Sequence, residues 1–256
     1  MRGIAAKKVL VSGGSSGIGE AAAQRFLEEG AHVYMCGLSQ AEVDAALGRL
    51  RKFGDVTGEA ADVTGEEAVR RVVANAEAAL GGLDVLANNA GTAWREPFLD
   101  ITPAHWDQMI AANLRGSFLM AQAVARRLVE QGRGGAIINM ASTNGLGAEV
   151  DYAHYNAAKA GIVLMTMTMA VELGQHNIRV NAICPGSIAT PLNRKNPPVA
   201  REPDDPLADL ANPRIPLGRR GLAAEVAAVY VFLASDDASY LTGAEIKVDG
   251  GQLAVM

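Results

Sequence analysis

Cysteine is nearly missing from this chain: Cys36 and Cys184 are the two in 256 residues, and no CxxC pair occurs. That speaks against a disulfide framework or a thiolate metal site, and fits a reducing cytoplasm with both thiols inert in apolar stretches. Positive charge is scarce as well. Lys and Arg number 23 against 28 Asp and Glu, for a formal net charge of −5 with no long basic tract, which argues against a nucleic-acid surface. No window reaches the roughly twenty uninterrupted apolar residues that span a bilayer, so no membrane partner is expected. The start, MRGIAAKKVLVSGG, has basic residues and a short apolar run, yet it leads straight into a glycine turn and reads as a first strand. Aromatics make up only 5 % of the chain, but 49 % is apolar, enough for one large core. No internal repeat and no linker interrupt it, so residues 1–256 read as one domain of a size normal for a large α/β sheet.

Strand and helix signals alternate from the start, the pattern of a parallel sheet covered on both faces. KKVLV, AHVYMC, DVTGEAADV, DVLANNAG, GAIINMAS and IRVNAICPG read as successive strands. Helices are expected from Gly17 to about Glu29, Gln40 to Arg51, about Glu66 to Leu80, Pro103 to about Gln131, and Tyr152 to about Gln175. From Ser187 to Gly221 the texture changes to seven prolines, several charges and little periodicity. A loop this long is usually functional or disordered, and it reads as a candidate substrate lid. A helix over 223–234 and a last strand, AEIKVDGG, close the chain.

Gly13, Gly17 and Gly19 follow the first strand and open the first helix. Such a turn lets backbone approach a pyrophosphate, while the helix start offers unpaired N–H groups and a positive dipole end. Ser15 and Ser16 could add donors to phosphate or ribose, or simply cap the helix. Tyr155 and Lys159, in YNAAK, stand four residues apart and so share one helix face. A phenol titrates near ~10 in water; a nearby ammonium lowers that value toward the range useful for general acid–base catalysis. Alone, such a pair decorates a helix surface. With the glycine turn and with Ser142 thirteen residues upstream, it points to proton transfer beside a nicotinamide cofactor.

SGGSSGIG, NNAG at 88–91, Asn113, Ser142, YNAAK and the PG of CPGSIAT together resemble the short-chain dehydrogenase/reductase family over nearly the whole chain. The resemblance implies a single doubly wound Rossmann-type domain, with seven parallel strands ordered 3-2-1-4-5-6-7 and helices on both faces. It also implies hydride transfer between nicotinamide and an alcohol or carbonyl. Carried over, Tyr155 is the general acid/base, and Lys159 holds the nicotinamide ribose and lowers the tyrosine pKa. Ser142 bonds the substrate oxygen, and Asn113 supports a water linking the lysine to solvent. Gly13, Ser15, Ser16, Gly17, Ile18 and Gly19 form the phosphate turn. Asp62 and Val63 match the adenine-contacting pair, Asn89, Ala90 and Gly91 the loop on the adenine-ribose side, and Pro185, Gly186, Ile188 and Thr190 the segment passing the carboxamide. Homodimers or homotetramers are implied, with the helix after strand four and the Tyr helix at one interface. Enoyl reductases of related fold usually space Tyr and Lys more widely than here.

The cofactor selector departs from the family pattern. A carboxylate after strand two favours NAD and a nearby Arg favours NADP, but the two positions hold Gly37 and Leu38, leaving NAD or NADP open with a lean to NAD. Loops at the carboxyl ends of the strands carry Trp94, Arg95, Glu96, Asn144, Glu149, Asp151 and His154. Polar groups there suit a hydroxylated substrate: a sugar, a polyol or a small hydroxy or keto compound, with Ser142, Asn144, Glu149 and Tyr155 as its contacts. The alternatives are a 3-oxoacyl thioester, a cyclic diol, or a nucleotide-sensing regulator without catalysis. No metal is called for.

Overall fold

The strands at the centre of the sheet are almost continuously apolar. β1 (Lys8–Ser12), β4 (Val85–Asn88), β5 (Gly135–Met140) and β6 (Ile178–Pro185) are buried nearly throughout, as expected of parallel strands covered on both faces. The computed structural model describes residues 1–190 and 211–255. With β2 (His32–Gly37), β3 (Val56–Ala60) and β9 (Glu245–Val248), these strands form a seven-stranded sheet in the order β3-β2-β1-β4-β5-β6-β9, every pair parallel. The expected order holds. The last strand is ninth in the chain because β7 (Ile188–Ala189) and β8 (Gly221–Leu222) form a separate parallel pair at the two stems of the proline-rich stretch. Residues 191–210 of the expected lid lie outside the described residues.

Helices flank both faces. On one face α1 (Gly17–Glu28), α2 (Gln40–Leu50) and α7 (Ala223–Ala234) bury Phe26, Val43, Leu50 and Tyr230 against the sheet. On the other, α3 (Glu66–Leu80), α5 (Gly116–Gln131) and α6 (Ala153–Leu173) contribute Val72, Met120, Leu128 and Ala170. The switch in winding between β1 and β4 opens a crevice at the carboxyl ends of the strands, where α/β sheets bind ligands.

Two features differ from the sequence reading. The helix expected over 103–131 is α4 (Pro103–Ile110), one π turn (Ala111–Arg115), and then α5. The insertion swings Asn113 inward and buries it, and such turns recur at functional sites. α6 is long and apolar enough by composition to cross a bilayer, but it packs on β6 and carries a buried lysine. Its outer side exposes Leu164, Met167 and Val171, while Phe118 of α5 is exposed too.

Candidate active site

The carboxyl end of β1 builds the phosphate turn. Gly13 and Gly17 have φ of 65° and 58°, values that favour glycine. A Cβ on Gly19 would lie 2.0 Å from the Gly13 carbonyl oxygen, so the tight bend requires glycine there as well. Ser16 is the N-cap of α1 but makes no side-chain cap bond, which leaves first-turn N–H groups available to an anion. The turn is braced from behind: Ser12 Oγ accepts from the backbone N–H groups of Asn89 (2.9 Å) and Ala90 (3.1 Å), and Asn89 Nδ2 donates to the Gly13 carbonyl (3.2 Å). Asn89 thus sends its side-chain amide to the turn itself. These features fit a bound dinucleotide pyrophosphate.

At β2 a Cβ on Gly37 would lie 2.6 Å from Ser15 Oγ. The buried serine therefore fills the space a selector carboxylate would need. Leu38 is 74 % exposed. Asp62 accepts from the backbone N–H and the hydroxyl of Thr64, and Val63 lies beside Gly116.

The carboxyl ends of β4, β5 and β6 gather the chemistry. Ser142, just past β5, is buried, and its hydroxyl stands close enough to the Tyr155 phenol to pull its pKa down. Lys159 follows one turn after Tyr155 on α6, its Nζ 5.5 Å from the centre of the phenol ring. Nζ donates to the Met140 carbonyl at 2.8 Å. Asn113 reaches across from the π turn, donating to the carbonyls of Thr92 (2.9 Å) and Met109 (3.1 Å) and accepting from Thr92 N–H (3.3 Å). Gly91 sits between them: a Cβ there would lie 2.6 Å from Asn113 Oδ1 and 3.7 Å from Lys159 Nζ. Past β6, Gly186 has no room for a side chain beside Asp249 and Gln252, and Gln252 Oε1 accepts from Ser187 N–H at 3.2 Å. Ile188 lies in β7, with its carbonyl taken by Arg220 at 2.9 Å, and Thr190 follows. Gln252 and Arg220 therefore hold this segment, roles that their sequence context does not signal.

The electrostatics of the pair correct the sequence expectation. Burial pushes the Tyr155 phenol up to about 12, with the Ser142 hydroxyl pulling the other way. Burial likewise pulls Lys159 down to about 8. The ammonium does not lower the phenol in this state, because its hydrogen bond goes to the Met140 carbonyl and desolvation dominates both groups.

Beyond the phenol lies a polar mouth. Asn144 N–H donates to Ser142 Oγ (3.1 Å), and its side-chain amide donates to Asn156 Oδ1 (2.9 Å) and Glu149 Oε2 (3.3 Å). Glu149 also pairs with Arg95 at 2.7 Å, and Arg95 lies 5.4 Å from the centre of the Tyr152 ring. Asn144 and Glu149 thus adjoin Ser142 and Tyr155 in one network, although each already holds a partner.

A family profile described as enoyl-(acyl carrier protein) reductase matches residues 13–252. The chain is 39 % identical over 246 residues to the 3-oxoacyl-[acyl-carrier-protein] reductase of Thermotoga maritima, covering 96 % of this chain and 97 % of that one. It is also 39 % identical over 260 residues to an L-rhamnose 1-dehydrogenase (NAD(P)(+)) of Azotobacter vinelandii, covering 96 % of each. The crystal structure of a short-chain type dehydrogenase/reductase from Mycobacterium marinum superposes with a TM-score of 0.88 at 36 % identity, covering 97 % of this chain and 96 % of that one. The chain therefore belongs to the short-chain dehydrogenase/reductase family, as an NAD(P)-dependent alcohol dehydrogenase or ketoreductase.

Proposed function

We propose that the substrate is a small hydroxylated compound (a sugar, a polyol or a hydroxy/keto compound) and that the preferred cofactor is NAD. The observation behind this reading is the polar network of Asn144, Glu149, Asn156 and Arg95 next to Ser142. A bound nicotinamide supplies or accepts hydride, and the protein handles the oxygen and its proton. Ser142 donates a hydrogen bond to the substrate oxygen, stabilising charge that develops there. Tyr155 gives the proton when a carbonyl is reduced and takes it when an alcohol is oxidised. Lys159 and Asn113 link that proton to solvent. Substrate hydroxyls would displace the present partners of Asn144 and Glu149, and an apolar analogue would leave those groups unpaired, a basis for discrimination.

NAD is preferred because no cation stands at Leu38 or Ser16 to meet a ribose phosphate. The test is a panel of sugars, polyols, ketones and 3-oxoacyl thioesters with both cofactors, followed by nicotinamide absorbance. The expected result is turnover of polyols or sugars, with kcat/KM higher for NAD. KM for that substrate should rise about tenfold in Asn144→Ala and Glu149→Ala, the cost of one lost polar contact. Unchanged KM in both variants would sink the polar-pocket reading, and a tenfold preference for NADP would reverse the cofactor choice.

A 3-oxoacyl thioester is the second reading, favoured by the similarity to the Thermotoga maritima reductase. An acidic carrier would need a basic docking patch. Two of the three arginines near the end of α5 are engaged within the chain, Arg127 with Glu77 and Glu130 and Arg133 with Asp84. Reduction of an enoyl double bond is disfavoured by the four-residue spacing of Tyr155 and Lys159. A cyclic diol remains within the panel's reach, and the retention of Asn113, Ser142, Tyr155 and Lys159 speaks against a purely sensing role.

The exposed apolar stripe of Phe118, Leu164, Met167 and Val171 supports a homodimer or homotetramer joined along α5 and α6. Light scattering that returned a monomer would remove that proposal. The buried, unbridged Cys36 and Cys184 support placement in the cytoplasm, which cell fractionation checks.

A further inference from the structure

The first turn of α6 carries Tyr155 but begins without an ordinary cap. Its N-cap is Tyr152, which makes no side-chain cap bond, so the first N–H groups need other acceptors. The Tyr155 N–H finds one in its neighbour, donating to His154 Nδ1 at 2.9 Å. Burial holds the pKa of His154 below its usual value, against the pull of Glu96 and of the Tyr152 backbone, and in the neutral tautomer with its proton on Nε2 the free Nδ1 accepts from Tyr155. The ring is fully buried and sits edge-on to Trp94, with centroids 5.3 Å apart. Its Nε2 has no hydrogen-bond partner among the described residues and faces Glu96 Oε2 at 3.7 Å.

Glu96 ties this ring to the rest of the mouth. Its carboxylate accepts from Trp94 Nε1 (3.2 Å) and meets His105 Nδ1 of α4 (2.8 Å), while its backbone N–H donates to the Asp151 carbonyl (2.8 Å). Asp151 itself has φ of 65°, at the turn that leads into α6. The loop after β4, the start of α4 and the start of α6 therefore meet on one imidazole, one carboxylate and one indole. Among the described residues none of these side chains hydrogen-bonds or pairs with the phosphate turn.

We propose that His154 is a positioning residue: braced by Trp94 and Glu96, it caps the turn that aims the Tyr155 phenol at the substrate oxygen. This rests on the reading of Tyr155 as the acid/base. A displacement of about 1 Å at a reacting group can cost a hundredfold in rate, so a device that fixes the turn acts on kcat and leaves cofactor binding alone.

The test uses the full-length protein and the best substrate from the panel. His154→Ala should lower kcat about tenfold, with the cofactor Kd and substrate KM unchanged within about twofold. His154→Asn, whose amide oxygen can replace Nδ1 as acceptor, should restore kcat to within about threefold of the parent. Glu96→Ala should lower kcat about fivefold with the same Kd, and the His154→Ala/Glu96→Ala double variant should be no worse than His154→Ala, because both act through one ring. Amide exchange at Tyr155 gives a readout without turnover: about tenfold faster in His154→Ala and restored in His154→Asn. Equal kcat losses in the Ala and Asn variants, or multiplicative losses in the double variant, would overturn the proposal. So would an unchanged Tyr155 exchange rate. If His154→Ala fails to fold, an unchanged kcat in Glu96→Ala is sufficient to refute it. A parent protein inactive on the whole panel but with the expected exchange pattern would instead count against the catalytic reading, leaving the cap itself supported.

Discussion

Tyr155→Phe should bind NAD(H) as the parent does and lose turnover by about a hundredfold to ten-thousandfold, the range attributed to a positioned proton donor or acceptor. The ring and its packing against Tyr152, with centroids 5.6 Å apart, survive the change; only the hydroxyl goes. The pH dependence carries the sharper signature. With the free phenol pushed up to about 12 by burial, only a small fraction is phenolate near neutrality. Alcohol oxidation needs that fraction as base, so its rate rises with pH through the neutral range. Carbonyl reduction needs the protonated form, which is abundant there, so its rate on this account stays level and falls only as the phenol ionises. The Phe variant should lose the rising limb in oxidation together with the rate. A variant that kept the parent's slope, or more than a tenth of its kcat, would take the phenol out of the proton transfer.

How much of this was legible beforehand depended on whether the signal lay in side-chain pattern or in three-dimensional surroundings. The strand at Lys8–Ser12 and the helix at Ala223–Ala234 follow from apolar runs, whereas the sheet order is what the family resemblance of the motifs implies. The glycine turn announces itself because Gly13 and Gly17 sit at positive φ and a side chain on Gly19 would meet the Gly13 carbonyl. The π turn at Ala111–Arg115 left no mark, since one extra residue in a helical turn barely disturbs the apolar period. β7 and β8 are two residues each and too short to carry any period. Ser12 braces the NNAG loop through backbone N–H groups, and Lys159 bonds a backbone carbonyl; a partner on the main chain has no residue letter to read. The same holds for His154. Neighbours in a helix do not face alike, so sequence adjacency gives no sign of a shared role, whereas its Nδ1 reaches the next residue's N–H. In the cofactor-free protein burial outweighs the ammonium at Tyr155, because spacing reports the nearby charge and not the depth at which both groups are buried.

That burial also sets the expected result for Lys159→Met, which separates stability from activity. Lys159 is 3 % exposed and its pKa is drawn down to about 8 by desolvation, with only the Cys184 thiol pulling the other way. A cation buried without a counter-charge costs stability, although the hydrogen bond to the Met140 carbonyl recovers part of it. The folded-state value lies below the unfolded one of about 10.4, so the unfolded chain binds more protons between them. This group's contribution therefore improves as pH rises from about 8 to about 10, and the full penalty stands at neutral pH. Methionine matches the length of the stem and removes the charge; the carbonyl it leaves unpaired costs about 1–3 kcal/mol. Desolvation of the charge is the larger effect. The cofactor-free variant should keep its Tm or gain a few degrees, at about 2–4 °C per kcal/mol for a domain of this size. The parent's gain in stability between about pH 8 and 10 should shrink in the variant. Turnover should nevertheless fall by about a hundredfold or more, and the cofactor Kd should rise, because Lys159 is assigned both the ribose and the proton path. This sets it apart from Tyr155→Phe, which spares the Kd. A marked drop in Tm would show that the lysine is held there as a structural donor to β5, and unchanged turnover would break its link to the phenol.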